Sequence, residues 1–204
     1  MESGMRYLRL AGVAAALIFV LTLVGFGAAL DGYLQSVYPV ALLGARGFPN
    51  ATAFNLLAFV LPGMMAAAVT LALRLRLPRN ADWLPRIGAQ LVFLSALAFI
   101  AMGLLPLDPR DLESEASRFH GTAWMMWCLA FVPGACLLAA GLRQFPEWRL
   151  FARLSVFAAM IVLVAAFLLT SVIAAGIAQR LAFAAWLAWL ALAGWQHGAA
   201  TGKP

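Results

Sequence analysis

The sequence predicts an all-α polytopic membrane protein, a six-transmembrane-helix bundle with the N- and C-termini cytoplasmic. Of 204 residues, 65% are hydrophobic and 11% are charged, which is too little charge for the surface of an ordinary soluble domain. The apolar residues form six runs, each near the ~20 residues that a helix needs to cross a bilayer core. Basic residues concentrate in alternate connections between these runs, as expected for loops on one side of a membrane.

The six spans are predicted to form one domain over residues 1–204. The first apolar run lacks a convincing small-residue cleavage site after its core, so we expect a retained helix and not a removed signal peptide. Only Gln179 and Arg180 separate the last two runs, which predicts a tight antiparallel hairpin at that point. The predicted spans are residues 8–30, 51–73, 87–105, 121–142, 154–178 and 181–195.

The distribution of charge orients the bundle. With the N-terminus inside, ten of the fourteen Lys and Arg residues fall on the cytoplasmic side, and Arg46, Arg110, Arg118 and Arg180 fall outside. Because basic residues in short loops favour the cytoplasm, this split predicts that both termini lie inside. We expect a multi-pass protein of the bacterial cytoplasmic (inner) membrane. The net charge of +6 is then a topology signal, and the absence of a compact basic domain argues against nucleic-acid binding.

Small residues and prolines predict how the helices pack. Small residues four apart share one helix face, where another helix can approach closely. Pro62 and Pro133 are expected to kink spans two and four. The small-residue pairs are Gly12 with Ala16, Gly63 with Ala67, and Ala184 with Ala188.

Polar residues predicted on the outer face define the candidate site. The first outer loop, DGYLQSVYPVALLGARGFPN, is too apolar for a solvated linker and is expected to fold over the helix ends, most simply as a hydrophobic plug. Several polar groups could converge beneath it, with Arg46 supplying a charge for an anion. The ligand-binding candidates are Asp31, Ser36, Arg46, Asn55 and Trp124, and the catalytic candidates are His120 and Asp108.

A carboxylate beside an imidazole can act as a general acid and base, because the carboxylate orients the ring and supports its protonated form. The pair of Asp108 and His120 could therefore act on a lipid headgroup. A capping or interfacial role for His120 is at least as consistent with the sequence, since no G-x-S-x-G or HExxH motif accompanies it.

The sequence predicts no metal site and no cofactor. His120 and His197 are expected at opposite membrane faces, about 30 Å apart, so they cannot ligate one haem. Cys128 and Cys136 lie in one apolar run without zinc-site spacing, and the methionines are expected to pack in the core. Few polar residues lie inside the spans, which disfavours proton-coupled transport.

The run SVYPVALLGARGFPNATAFNLLAFVLPG, followed by the LLPLDP turn and by His120, resembles a prokaryotic integral membrane family, domain of unknown function 998. The resemblance rests on a serine and a proline before a Leu-Gly turn, then Gly-x-Pro, then an Asn-bearing second helix. It implies a six-helix bundle and no established reaction. The positions that match are Ser36, Pro39, Gly47, Pro49, Asn55, Asp108 and His120.

Three hypotheses for function remain open from the sequence. The leading one is binding of a membrane lipid or another amphiphile in an outward-facing polar pocket roofed by the first loop. The second is a membrane-embedded hydrolase or transferase that acts on lipid headgroups through His120 and a carboxylate. The third is a non-catalytic assembly partner, as an oligomer or with another membrane protein, for which small-residue helix faces would suffice.

Overall fold

The computed structural model of the protein describes residues 2–196, and their side chains from Leu10 onward. The described residues form six helices long and apolar enough to cross a membrane, and they contain no strand. The six-helix, all-α prediction is therefore confirmed. The helices are α1 (Glu2–Ala29), α2 (Ala51–Arg76), α3 (Trp83–Leu104), α4 (Glu115–Leu142), α5 (Pro146–Ser171) and α6 (Ala175–Trp195).

Each helix packs against its neighbours in sequence, and α6 closes the ring by packing against α1. Residues 30–50, 105–114 and 172–174 connect the helices at one end of the bundle, which we call the loop end. Residues 77–82 and 143–145 connect them at the other, which we call the arginine end. Because the number of helices is even, the chain enters and leaves the bundle at the arginine end.

The core is aromatic and draws on all six helices. Phe99 of α3 stacks on Trp186 of α6 with ring centroids 4.5 Å apart and meets Phe183 edge to face at 5.5 Å. Phe19 of α1 and Trp127 of α4 pack on the same cluster. Such offset and edge-to-face ring contacts add specific attraction to the van der Waals packing that holds membrane helices together.

Glycines set the closest helix contacts. A Cβ on Gly88 of α3 would lie 2.7 Å from the Gly134 carbonyl oxygen and the Leu138 nitrogen of α4, so only glycine fits there. Gly12 lies equally close to the backbone of α6, and Gly63 packs against α3. Two of the predicted small-residue faces are thus helix contacts. The third pair differs, because Ala184 and Ala188 both face outward from the bundle.

Proline residues leave their helices continuous. A π-helical turn, Leu56–Val60, lies just before Pro62 in α2, and Pro133 lies inside α4. The missing proline N–H frees a carbonyl one turn earlier, and a π turn is a common way to absorb that local mismatch. The helix continues to Arg76.

The connection between the last two spans differs from the prediction. It falls at residues 172–174, whereas Gln179 and Arg180 lie within the first turns of α6. These two polar residues tolerate a helical position because the first loop supplies their hydrogen-bond partners. Helix α5 correspondingly begins and ends earlier than the predicted span of residues 154–178.

Candidate functional site

Arg180 holds the first loop against the N-terminal turns of α6. Its guanidinium donates from Nη2 to the Tyr33 hydroxyl at 2.8 Å and from Nη1 to the Tyr38 carbonyl at 3.0 Å. It also donates from Nε to Gln35 Oε1 at 3.1 Å, with a further contact from Nη2. All these acceptors are neutral, so the half-buried cation is held by charge-assisted hydrogen bonds and not by an ion pair.

Further hydrogen bonds fix the same loop on both sides. Gln35 Nε2 donates to the Leu23 carbonyl of α1 at 2.9 Å, and the Val40 N–H donates to Gln179 Oε1 at 3.0 Å. Gly27 makes room for this arrangement, since a Cβ there would collide with the Gln35 amide. The loop therefore bridges α1 and α6 at this end of the bundle.

Tyr33 lies at the centre of this network. Its hydroxyl accepts from Arg180 and donates to the Pro39 carbonyl at 3.2 Å, and its ring stacks on that of Tyr38 with centroids 5.8 Å apart and an interplanar angle of 27°. Burial raises the pKa of the Tyr33 phenol above its ordinary value, and the neighbouring Arg180 charge only partly offsets this. The phenol is consequently neutral near pH 7 and can accept and donate at once.

A polar groove, which we call the loop groove, opens beside the start of α2. It has a volume of about 500 Å³ and is lined by residues 44–48 and 50–53 together with Asn55 and Pro106. Buried Asn55 donates from Nδ2 to the Gly44 carbonyl at 2.8 Å and so holds the groove wall against α2. The Arg46 N–H donates to the Leu107 carbonyl at 2.9 Å, which fixes the opposite wall, while the Arg46 side chain is exposed.

A second groove of about 410 Å³, which we call the α1 groove, runs along the adjoining face of α1. Leu21, Gly25, Phe26 and Ala29 supply most of its wall. A Cβ on Gly25 would meet nothing within 4 Å, so glycine keeps this stretch open. Asn50 belongs to both grooves and is therefore the point where the polar and apolar spaces meet.

Asn50 has a backbone suited to that junction. Its φ of 57° lies in the left-handed region, which asparagine adopts more readily than most residues. It occupies the N-cap position of α2 but its side chain makes no capping hydrogen bond. The exposed carboxamide is thus not used by the helix it precedes.

Asp108 and His120 lie in neighbouring but separate hydrogen-bond systems. The Asp108 carboxylate accepts from the Arg110 N–H at 3.0 Å, in a turn of its own. The Asp108 backbone is held by Ser117, whose hydroxyl bonds to both the N–H and the carbonyl at 3.0 Å. His120 Nδ1 lies 2.9 Å from the Leu105 carbonyl, so this nitrogen must carry the proton. The two side chains form no hydrogen bond with each other among the described residues.

The remaining candidate residues take different places. Arg46 and Asn55 line one groove, and the turn that carries Asp108 borders it at Pro106 and Leu107. Trp124 packs in the aromatic core, 5.1 Å from Trp127 and 5.4 Å from Phe183 between ring centroids. Asp31 and Ser36 are exposed. His197, used to argue against a haem, lies outside the described residues.

Sequence reasoning missed the residues that organise this end of the bundle. Arg180 and Gln179 were assigned to a turn, and Gln35 and Asn50 were not singled out for any role. One signal was present: two adjacent polar residues interrupt an otherwise apolar run of more than 30 residues, which is costly in a membrane unless both have partners. Their partners lie about 140 positions away in sequence and have no local signature.

Comparison with known proteins identifies the family of the chain. No curated protein and no solved structure matches the chain. The model of the family described as "Protein of unknown function (DUF998)" matches residues 7–196, which include all six helices except the first residues of α1. The chain therefore belongs to the DUF998 family, a family of unknown function whose match here covers a six-helix bundle of membrane-spanning length.

Proposed function

We propose that this protein binds a lipid or another amphiphile at the loop end of the bundle. The headgroup would occupy the loop groove and the acyl chain would lie in the α1 groove. The observation that carries this proposal is that the polar and the apolar groove meet at Asn50. An amphiphile has a polar headgroup and an apolar chain, so it would use the polar and the apolar groove together.

The chemistry of the loop groove favours an anionic or zwitterionic headgroup. Arg46 offers an exposed guanidinium that makes no side-chain hydrogen bond within the described part of the chain, so it is available for a phosphate or carboxylate oxygen. Asn50 and Thr52 add neutral donors and acceptors along the same wall. A volume of about 500 Å³ lies within the usual range for small-molecule sites.

The α1 groove suits an acyl chain. Its walls are mainly aliphatic or aromatic, and Leu21 and Val24 beside it are 70% and 57% exposed, which places the groove on the lipid-facing side of α1. A chain can therefore enter sideways from the bilayer without passing through the helix bundle. Thr22 lies in the same wall but is only 8% exposed.

The orientation in the membrane is part of the proposal. The excess of arginine at the arginine end supports a bacterial cytoplasmic membrane protein with both termini inside and the loop end outside. A reporter fused after Glu113 is expected to behave as periplasmic. A cytosolic signal from that fusion would place both grooves on the inner face.

Catalysis is not part of this proposal. The hydrolase or transferase hypothesis needs Asp108 to act with His120, yet each is committed to a different backbone partner. Under the enzyme hypothesis, His120→Ala would abolish turnover of a membrane lipid while preserving folding. The assembly-partner hypothesis stays a prediction, to be tested by looking for a stoichiometric partner in gentle purification.

The experiment that tests binding measures lipid retained by the purified protein in native mass spectrometry. Gly25→Trp should fill the α1 groove, and Arg46→Gln should remove one charge-assisted hydrogen bond, for an affinity loss of about tenfold. Gly121→Trp is the matched control, because a Cβ at Gly121 also meets nothing within 4 Å but lies on α4. Equal lipid retention by wild type, Gly25→Trp and Gly121→Trp would refute the proposal.

A further inference from the structure

A third groove lies at the opposite end of the bundle, between α4 and α5. It has a volume of about 490 Å³. Three arginines, Arg143, Arg149 and Arg153, stand along it. Its remaining walls are small and apolar, with Ala139, Ala140 and Ala152 among them. We propose that this groove, which we call the arginine groove, binds one anionic phospholipid whose phosphate lies among the three guanidiniums.

The charges of these arginines have no counterpart in the described part of the chain. All three side chains are exposed, and none makes a hydrogen bond or an ion pair within residues 10–196. Glu147, the nearest acid in sequence, forms no ion pair there either. Arg76 at the same end behaves differently, since it donates to the carbonyls of Gly194 and Gln196 at the end of α6.

Their placement is electrostatically unfavourable without an anion. Arg149 and Arg153 are four residues apart on one helix face, where like charges repel. Arg149 is also the first residue of the α-helix Arg149–Leu163, the end at which the helix dipole disfavours a cation. Arg143 approaches from the end of α4 and adds a third positive charge. An anion between them would relieve all of these repulsions together.

The apolar walls identify the anion as part of a lipid. Alanines at the α4–α5 contact leave a channel that leads from the arginines toward the membrane interior, beside the exposed side chains of Cys136 and Val156. A glycerol backbone and the upper part of an acyl chain match such walls, whereas free phosphate would use only the arginines. Basic pockets between helices at the membrane surface are a recognised way to bind acidic lipid headgroups. The positive-inside tendency explains why arginines lie at this end, but not why three of them border one apolar groove.

This inference is independent of the loop-end site, and the test keeps the two apart. The protein is titrated with phosphatidylglycerol or phosphatidylcholine in mixed micelles, and bound lipid is counted by native mass spectrometry. Measurements in the Gly25→Trp background remove the contribution of the α1 groove. Phosphatidylglycerol is expected to bind more tightly than phosphatidylcholine in that background.

Two kinds of variant address the arginine groove itself. Arg149→Gln with Arg153→Gln should weaken phosphatidylglycerol binding by about 25-fold, at about fivefold for each arginine at an anionic lipid surface. Ala140→Phe, which fills the groove without changing its charge, should also reduce binding. Arg110→Gln with Arg118→Gln, two exposed arginines at the loop end, is the matched control and should leave binding unchanged.

Three results would overturn the inference. Unchanged phosphatidylglycerol binding in the Arg149/Arg153 double variant is the first, and an equal loss in the Arg110/Arg118 control is the second. The third is competition by inorganic phosphate at a concentration equal to the lipid, which would point to a site for free anions. Melting temperatures without added lipid verify that each variant is folded.

Discussion

Replacing Arg180 with methionine should release the first loop from α6. The guanidinium donates to Tyr33, Gln35 and Tyr38 of that loop, whereas its fourth partner, the Gly176 carbonyl, belongs to its own helix. A hydrogen bond to a charged group contributes about 1.5–3 kcal/mol when buried. Because Arg180 is half-exposed, we take about 1 kcal/mol for each loop contact, or about 3 kcal/mol in total.

Thermal unfolding in detergent measures this loss. At about 2–4 °C per kcal/mol for a chain of this size, Arg180→Met should melt about 6–12 °C below wild type. Arg180→Lys keeps the charge but loses the planar fork that reaches three loop oxygens, so about half of the loss is expected. Limited proteolysis should show faster cleavage between Tyr33 and Arg46 in Arg180→Met, because the loop is no longer held.

Arg110→Met is the control for this prediction. The Arg110 side chain is exposed and makes no hydrogen bond in the described structure, so its removal should change stability by less than about 0.5 kcal/mol. The reasoning fails if Arg180→Met melts within one degree of Arg110→Met and its loop resists protease as the wild-type loop does.

Three further predictions follow from close contacts and burial. Gly88→Ala should destabilise the bundle by about 2 kcal/mol or more, because the new Cβ would lie 2.7 Å from the backbone of α4. Gly121→Ala is the control: a Cβ there meets nothing within 4 Å, so this variant should be neutral or slightly stabilised in the same thermal melt. Gly44→Ala should displace the Asn55 amide and lower the free energy of unfolding by about 1–3 kcal/mol. A double-mutant cycle with Asn55→Ala should show strong coupling between the two positions, and additive losses would contradict the contact. Since burial raises the folded-state pKa of Tyr33 above its unfolded value near 10, the folded form holds its proton more tightly, and stability should fall as pH rises from about 10 through the folded pKa. Tyr33→Phe should make that decline shallower in melts followed from pH 9 upward, and an unchanged slope would refute the assignment.

The helices themselves were predictable because the signal for them is local. Each span is a run of apolar residues whose length matches the bilayer, and no distant contact is needed to recognise it. The boundary between α5 and α6 was misplaced for the same reason. A local hydropathy profile predicts a connection at Gln179 and Arg180. It contains no information about their hydrogen-bond partners, Val40 and Gln35, which are distant in sequence.

The candidate site was predictable only in part. Arg46 and Asn55 were expected at the same end of the bundle, and both line the loop groove. The expected meeting of Asp108 and His120 depended on side-chain directions, which sequence spacing does not specify. The places of Asn50 and Gly25 in the grooves could not be predicted from the sequence, because a groove depends on how neighbouring elements pack.

The sequence alone determined that this chain forms six apolar helices, that its basic residues cluster at one end, and that it resembles its family. These properties are sums over neighbouring residues, so they can be read without coordinates. Tertiary structure decided which polar groups meet. Arg180 and Tyr33, 147 residues apart, share a hydrogen bond only because α6 closes the ring against α1. The two grooves likewise adjoin at Asn50 only because the start of α2 packs beside α1, and helix packing sets the distance between them.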